Sequence, residues 1–277
     1  MPFCCPVCEK TLYSEGNSLY CKTGHCFDRA KSGYVNLLPA HMAHSKTPGD
    51  NRRMVETRKA FLEAGYYVRL RDSLCQKVSA FAAEKTGGRL VLLDAGCGEG
   101  YYTEGMAQTL LKRGRPFEAM GLDISKWAVN LAAKRTKHAS FAVGSIFHLP
   151  LAENSCDIVT EIFAPFCRDE YYRVLKSGEL LILVIPAPRH LWELKQAVYQ
   201  NPYPNKTKPY EIEGFSLLYQ EPVEFQITLD CPEDIQNLFQ MTPYAYKTSK
   251  EDTGRMLELN TLKTTAGFYI LGYRACK

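Results

Sequence analysis

Two periodicities divide this chain. Between residues 52 and 83 apolar side chains recur every three or four positions, with Phe61 and Leu62 in one stretch and Leu70, Leu74, Val78 and Phe81 in the next. That spacing predicts helices over Arg52 to Ala64 and Tyr67 to Ala83. Beyond residue 85 short apolar runs alternate with helical segments. Strands are expected at Leu90 to Ala95, Phe117 to Asp123, Ser140 to Val143, Cys156 to Phe163 and Glu179 to Ile185. Two further extended runs, Phe215 to Leu229 and Leu262 to Tyr273, flank a helical PEDIQNLFQM and complete the sheet. The rhythm specifies an α/β domain, with a mostly parallel, seven-stranded sheet covered by helices on both faces.

Ahead of this domain the pattern changes. Leu12, Tyr13, Leu19 and Tyr20 surround a Glu15-Gly16-Asn17 turn, which reads as a short hairpin. The polar HSKTPGDN at 44–51 reads as a linker. The expected organisation is a small module over 1–43, a linker with packing helices over 44–84, and the α/β domain over 85–277. Because the linker separates them, removal of residues 1–40 is expected to leave the α/β domain's ligand binding intact.

Composition narrows the class. With 45% hydrophobic and 23% charged residues the chain is globular. It has no run of eighteen apolar residues, and charged and turn residues stand where a signal peptide needs an apolar core. A soluble cytoplasmic protein with no membrane partner is expected. The net charge of +4 permits nucleic acid as a partner without requiring it.

The cysteines are distributed unevenly. Six of the eleven (Cys75, Cys97, Cys156, Cys167, Cys231 and Cys276) are scattered singly, while five crowd into residues 4–28 with His25. In a reducing compartment such a cluster points to metal rather than to disulfides. Cys5-x-x-Cys8 and Cys21-x-x-x-His25 have the spacing of two ligand pairs, each on a tight turn, and thiolate and imidazole both suit zinc. This is a zinc-ribbon-like layout, although Cys4 or Cys26 could also be drawn into it. Four protein ligands leave no open position, so one structural Zn2+ per chain is expected. A module of forty residues buries too little core to stand alone, and the metal would supply folding energy.

The first strand of the α/β domain runs into LLDAGCGEGYYT, whose Gly96, Gly98 and Gly100 are spaced G-x-G-x-G. A dinucleotide turn would place a third glycine where Tyr101 stands. S-adenosyl-L-methionine has no phosphate and needs room for a sulfonium and an amino-acid tail beside the turn. Asp94, at the strand end, is a candidate to face the cofactor's positive end. Asp123, ending the second strand, is placed to accept from both ribose hydroxyls. The alternative for Asp123 is a helix N-cap, a role open to Ser125 as well.

These residues carry a resemblance. The glycine turn, the GLDISK strand end and EYYRVLKSGE before a fifth strand resemble class I S-adenosylmethionine-dependent methyltransferases of Rossmann-like fold. Together with the cysteine pairs, DRAKSGYVNLLP, PGD, RKAFLEAGYY and PAPRHLWELK, the chain resembles the bacterial 23S ribosomal RNA (guanine-N1)-methyltransferases, the ribosomal large-subunit methyltransferase A family, along nearly its whole length. The departure is KSGE where the usual turn is K-P-G-G. The resemblance implies an N-terminal module that recognises a 23S rRNA hairpin near the peptide exit tunnel, and a homodimer. It also implies zinc ligands Cys5, Cys8, Cys21 and His25, and cofactor contacts Tyr67, Gly98, Glu99 and His190.

Methylation of guanine N1 needs a splayed base in line with the methyl donor and loss of the N1 proton. EIFAPF, at the end of the fourth strand, stands where such enzymes carry an acceptor-binding turn. Phe163 and Phe166 are candidate stacking faces, with packing in the core as the alternative. Ala164 and Pro165 are candidates to present a backbone carbonyl, and Glu161 is the candidate base or an outward-facing charge. Arg52, Arg53, Arg58, Lys59, Arg69 and Arg71, with Lys206 and Lys208, read either as phosphate contacts or as solvated faces.

Overall fold

The structure is a computed structural model that describes residues 3–42, 49–206, 210–242, 244 and 248–277. Linker positions 44–48, including Pro48 of the PGD motif, and Lys208 lie outside the described residues.

The N-terminal segment forms β1 (Tyr13–Glu15), β2 (Ser18–Tyr20), β3 (Cys26–Asp28) and β4 (Val35–Asn36). The first three make a small antiparallel sheet, with Gly16 and Asn17 at the first turn. Then come α1 (Arg52–Glu63) and α2 (Val68–Glu84). Asn51 caps α1 by accepting the Met54 N–H at 3.1 Å, so the end of the linker sets where the helix starts.

The alternating part follows as β5 (Leu90–Ala95), α3 (Tyr101–Lys112), β6 (Phe117–Asp123), α4 (Lys126–Arg135), β7 (Ala139–Val143), β8 (Cys156–Ile162), α5 (Arg168–Val174), β9 (Leu175–Pro186) and α6 (Trp192–Val198). It ends with β10 (Phe215–Leu229), α7 (Pro232–Gln240), α8 (Lys250–Leu257) and β11 (Leu262–Ala275). The large sheet has the order β10-β11-β9-β8-β5-β6-β7-β4. Its pairings are parallel from β9 through to β4, and antiparallel where β11 joins β9 and β10 joins β11. The seven expected strands are present. An eighth comes from the N-terminal segment, where Val35 and Asn36 extend the sheet beside Ala142 and Val143.

Strand order reverses between β5 and β8, which opens a crevice at their C-terminal ends. β5 is buried on both faces, as a central parallel strand must be. β10 alternates buried and exposed positions over its second half and has one neighbour, β11.

The N-terminal module packs directly on the α/β domain. Phe3, Leu12, Leu19, Val35 and Leu37 belong to one hydrophobic cluster with Leu93, Met120 and Leu122 of the central strands. The Cys4 N–H donates to the Pro150 carbonyl at 2.7 Å and the Leu37 N–H to the Val143 carbonyl at 2.8 Å. Cys4 is buried against the α/β domain instead of joining the other thiols.

Candidate functional site

In the N-terminal module, one donor atom from each of Cys5, Cys8, Cys21 and His25 lies within 4.8 Å of the others. The turns at 5–8 and 21–25 converge because β1 to β3 hold them side by side. Cys8 Sγ is 3.6 Å from Cys21 Sγ, and His25 Nδ1 is 3.3 Å from Cys21 Sγ and 3.5 Å from Cys5 Sγ. Tetrahedral zinc with bonds of ~2.3 Å to sulfur has ligand–ligand edges of ~3.8 Å, so this donor set fits the ion. Cys26 is exposed on β3, and neither it nor Cys4 belongs to this cluster of donors.

The second site lies at the switch point. The chain leaves β5 through Gly96, Gly98 and Gly100, all with positive φ. A Cβ on Gly100 would lie 2.9 Å from Ala132 Cβ of α4. A Cβ on Gly96 would lie 2.4 Å from Ala164 Cβ, so only glycine lets the two loops cross. At Gly98 an added Cβ would meet nothing within 4 Å, so open space lies beside the turn for a ligand. Asp123 reaches back from β6: one carboxylate oxygen accepts the Gly98 N–H at 2.9 Å and the other the Ser125 N–H at 2.8 Å. Ser125 itself caps α4, so the N-cap role falls to Ser125 and Asp123 remains at the pocket. Burial raises the pKa of Asp123, against which these two backbone donors work.

Asp94, the candidate to face the cofactor's positive end directly or through water, is buried at the end of β5. Its oxygens accept from the Thr103 and Thr160 hydroxyls, at 2.5 and 2.9 Å, which ties the start of α3 to β8. Burial pushes its pKa up to about 6. Glu99 is 2% exposed and its Oε1 has no hydrogen-bond partner among the described residues, nor does the buried Tyr102 hydroxyl. Such groups are costly to leave unpaired, and a cofactor with an ammonium and ribose hydroxyls can satisfy them. S-adenosyl-L-methionine therefore fits the residues present.

His190 is buried beside Tyr67. Its Nδ1 accepts the Gly267 N–H at 3.3 Å, and Nε2 stands 3.5 Å from the Tyr67 hydroxyl. Burial, then the Lys195 charge, lowers its pKa to about 3, so the ring is neutral. A neutral imidazole accepting at Nδ1 carries its proton on Nε2 and is not a base at that atom.

The turn after β8 is tied to its surroundings through three of its residues. Glu161 is 3% exposed and accepts the Ala164 N–H at 2.7 Å, so it clasps the turn and is neither outward-facing nor presented as a base. The Pro165 carbonyl accepts from the Tyr171 hydroxyl at 3.4 Å and is committed internally. Phe166 packs on Tyr171 with ring centroids 5.6 Å apart. Phe163 differs: it is 46% exposed at φ 59°, a strained conformation for a bulky residue, with its ring 5.4 Å from Phe268. Leu191, beside His190, is the other left-handed residue bordering the crevice.

Most of the expected phosphate-contacting residues have partners within the chain. Arg52 pairs with Glu56 and covers Trp127, Lys59 pairs with Glu63, Arg69 covers Phe225, and Arg71 covers Tyr101. Of two arginines at the site, Arg58 was read from the sequence as a phosphate contact or a solvated charge, and Arg135 was not singled out. Arg58 pairs with Asp50, and Arg135 meets Glu63 at 3.0 Å, Glu104 at 3.5 Å and Glu99 at 3.8 Å. Their signal is positional: Arg58 falls on the apolar stripe of Val55 and Leu62, and Arg135 on that of Ala128 and Ala132.

Two family models match the chain: the N-terminal zinc ribbon of RlmA over residues 3–46 and a methyltransferase domain over residues 87–259. A Bacillus subtilis (strain 168) protein, YxjB, provisionally named a 23S rRNA (guanine-N1)-methyltransferase, is 30% identical over 97% of this chain and 95% of its own length. The 23S rRNA (guanine(748)-N1)-methyltransferase of Streptomyces fradiae is 35% identical over 70% of this chain and 66% of its own.

Proposed function

The chain belongs to the family of 23S rRNA (guanine-N1)-methyltransferases, and we propose that it methylates N1 of a guanine in a 23S rRNA hairpin near the peptide exit tunnel. It is an S-adenosylmethionine-dependent enzyme with a structural zinc. The observation that supports the reading best is a four-donor zinc cluster sharing one core with a sheet whose switch point carries a glycine turn, Asp123 and an exposed Phe163. Cys5, Cys8, Cys21 and His25 hold the zinc in this reading. Gly96, Gly98, Glu99, Gly100 and Asp123, with Tyr67 and His190 at the far wall, bind the cofactor. The protein works in the cytoplasm as a homodimer.

When bound, S-adenosyl-L-methionine supplies an electrophilic methyl group. The chain's part is positioning, which can remove roughly 7 to 11 kcal/mol of a barrier at best. Phe163 offers a ring face to the splayed base. Among the described residues no carboxylate is presented there as a base, because Asp94 and Glu161 are both buried and hydrogen-bonded. The N1 proton therefore passes to solvent or to the RNA. Tritium from labelled cofactor should pass to unmodified large-subunit RNA and produce a reverse-transcription stop at one guanine. Transfer to small-molecule acceptors with none to RNA would overturn the reading.

A further inference from the structure

We propose that Arg58 is the binding residue for the α-carboxylate of the cofactor's methionyl tail, held in place by Asp50. This rests on the methyl-donor reading and adds a contact on a helix outside the glycine-turn domain. The geometry points to it from two sides. At the β6 end, Asp123 accepts the Ser125 N–H, and the Ser125 hydroxyl donates to the Asp50 carbonyl at 2.7 Å. The Asp50 carboxylate in turn pairs with the Arg58 guanidinium. At the other end of α1, Arg135 bridges Glu63 and the glycine-turn residue Glu99. α1 is thus fastened at both edges of the cofactor pocket, with Arg58 on its inward stripe.

The hydrogen-bonding capacity of the two arginines differs. Arg135 spends its donors on Glu63, Glu104, Glu99 and the Glu99 carbonyl. Among the described residues, Arg58 uses one of its five N–H donors, toward Asp50, and its side chain keeps 28% of its exposure. Burial works against its charge, but Asp50, then Glu99 and Asp123, keep it protonated. A free guanidinium edge beside acidic neighbours suits a planar carboxylate. The tail of the methyl donor is a zwitterion, so it also needs an acceptor for its ammonium, and Glu99 Oε1, which accepts no hydrogen bond among the described residues and has only the 3.8 Å ion pair with Arg135, provides one.

Calorimetry with two ligands tests this without methyl transfer. S-adenosylhomocysteine carries the full tail, and its decarboxylated analogue keeps the amine and lacks only the carboxylate. The unaltered protein should prefer the first by about 10- to 100-fold, the range of a charge-assisted hydrogen bond. In Arg58→Met the preference should vanish, with the analogue's affinity changed less than about twofold. Arg58→Gln, which keeps a hydrogen-bonding group beside Asp50, should behave alike and serves if the first variant does not fold. Equal weakening of both ligands would show general damage to the pocket and overturn the proposal, as would a ratio near one in the unaltered protein. Binding of neither ligand by the unaltered protein would instead remove the methyl-donor reading itself.

Discussion

Asp94 and His190 are both buried, and they act on stability with opposite sign over overlapping pH ranges. Asp94 has its pKa raised to about 6 from 3.8 by burial. The folded state therefore binds the proton more tightly, and stability falls as pH rises from about 4 to 6, by at most about 3 kcal/mol. His190 has its pKa lowered to about 3 by burial. The unfolded chain takes up that proton first, so stability falls as pH drops below about 6.5, by at most about 5 kcal/mol. Between about pH 4 and 6 the two offset each other, so in urea denaturation Asp94→Asn should lose stability more steeply than the unaltered protein as pH drops from 6 to 4, and His190→Gln should instead gain stability over that drop; unchanged pH profiles in both would remove the burial argument. Asp123→Ala should weaken cofactor binding by about 1 to 3 kcal/mol, because it removes the ribose acceptor and leaves two N–H groups without their carboxylate. Undiminished affinity in the folded variant would take Asp123 out of the site. The place of Asp123 beside the glycine turn was legible in the sequence, because it ends the strand next to the one that feeds that turn. Arg58 was legible only as a charge for solvent or phosphate, because the apolar stripe around it is what marks an inward position.

At the scale of elements, the crossing of the β5 and β8 loops governs the site. Gly96→Ala would bring a Cβ within 2.4 Å of Ala164 at a φ of 80°, so one loop must move. Cofactor affinity should fall at least tenfold, with roughly 2 kcal/mol or more of stability lost. Phe163→Gly makes the converse test. It relieves a left-handed Phe at φ 59°, so stability should be retained or rise by about 1 kcal/mol. Cofactor binding should persist while methylation of hairpin RNA drops; full activity would exclude Phe163 as a stacking face. Strand limits such as Leu90–Ala95 agreed with the sequence because burial on both faces writes a short apolar run, Leu90 to Leu93, ahead of the glycine turn. β4 escaped notice for the opposite reason: two residues inside GYVNLLP show no periodicity, and only pairing with β7 makes them a strand. The turn at 163–166 was located correctly, but which of its groups face inward depends on Glu161 and Tyr171, which sequence spacing does not reveal.

For the whole molecule, the question is whether metal and sheet edge support the N-terminal module independently. The polar linker suggested a detachable unit. The shared cluster of Leu12, Leu19, Val35 and Leu37 with Leu93 and Met120 shows that the module covers apolar surface of the central strands. Zinc loss and module loss should therefore differ. Cys21→Ser removes one of the four donors, so zinc content should fall and β1 to β3 should loosen, while β4 and its apolar neighbours stay on the sheet. S-adenosylhomocysteine affinity should then change little, and Cys26→Ser should keep its zinc. Deletion of residues 1–40 strips β4 from β7 and exposes Leu93, Met120 and Leu122, the last one residue before Asp123. Its melting temperature should fall by about 10 °C or more, the response to several kcal/mol in a domain of this size, with cofactor affinity reduced as well. Elemental analysis, thermal melting and calorimetry on the three proteins separate the cases. A deletion variant that melts with the full-length protein and binds the cofactor equally would show that the shared core contributes nothing to the pocket. Loss of cofactor binding in Cys21→Ser would show that the zinc, rather than the sheet contact, holds the module in place.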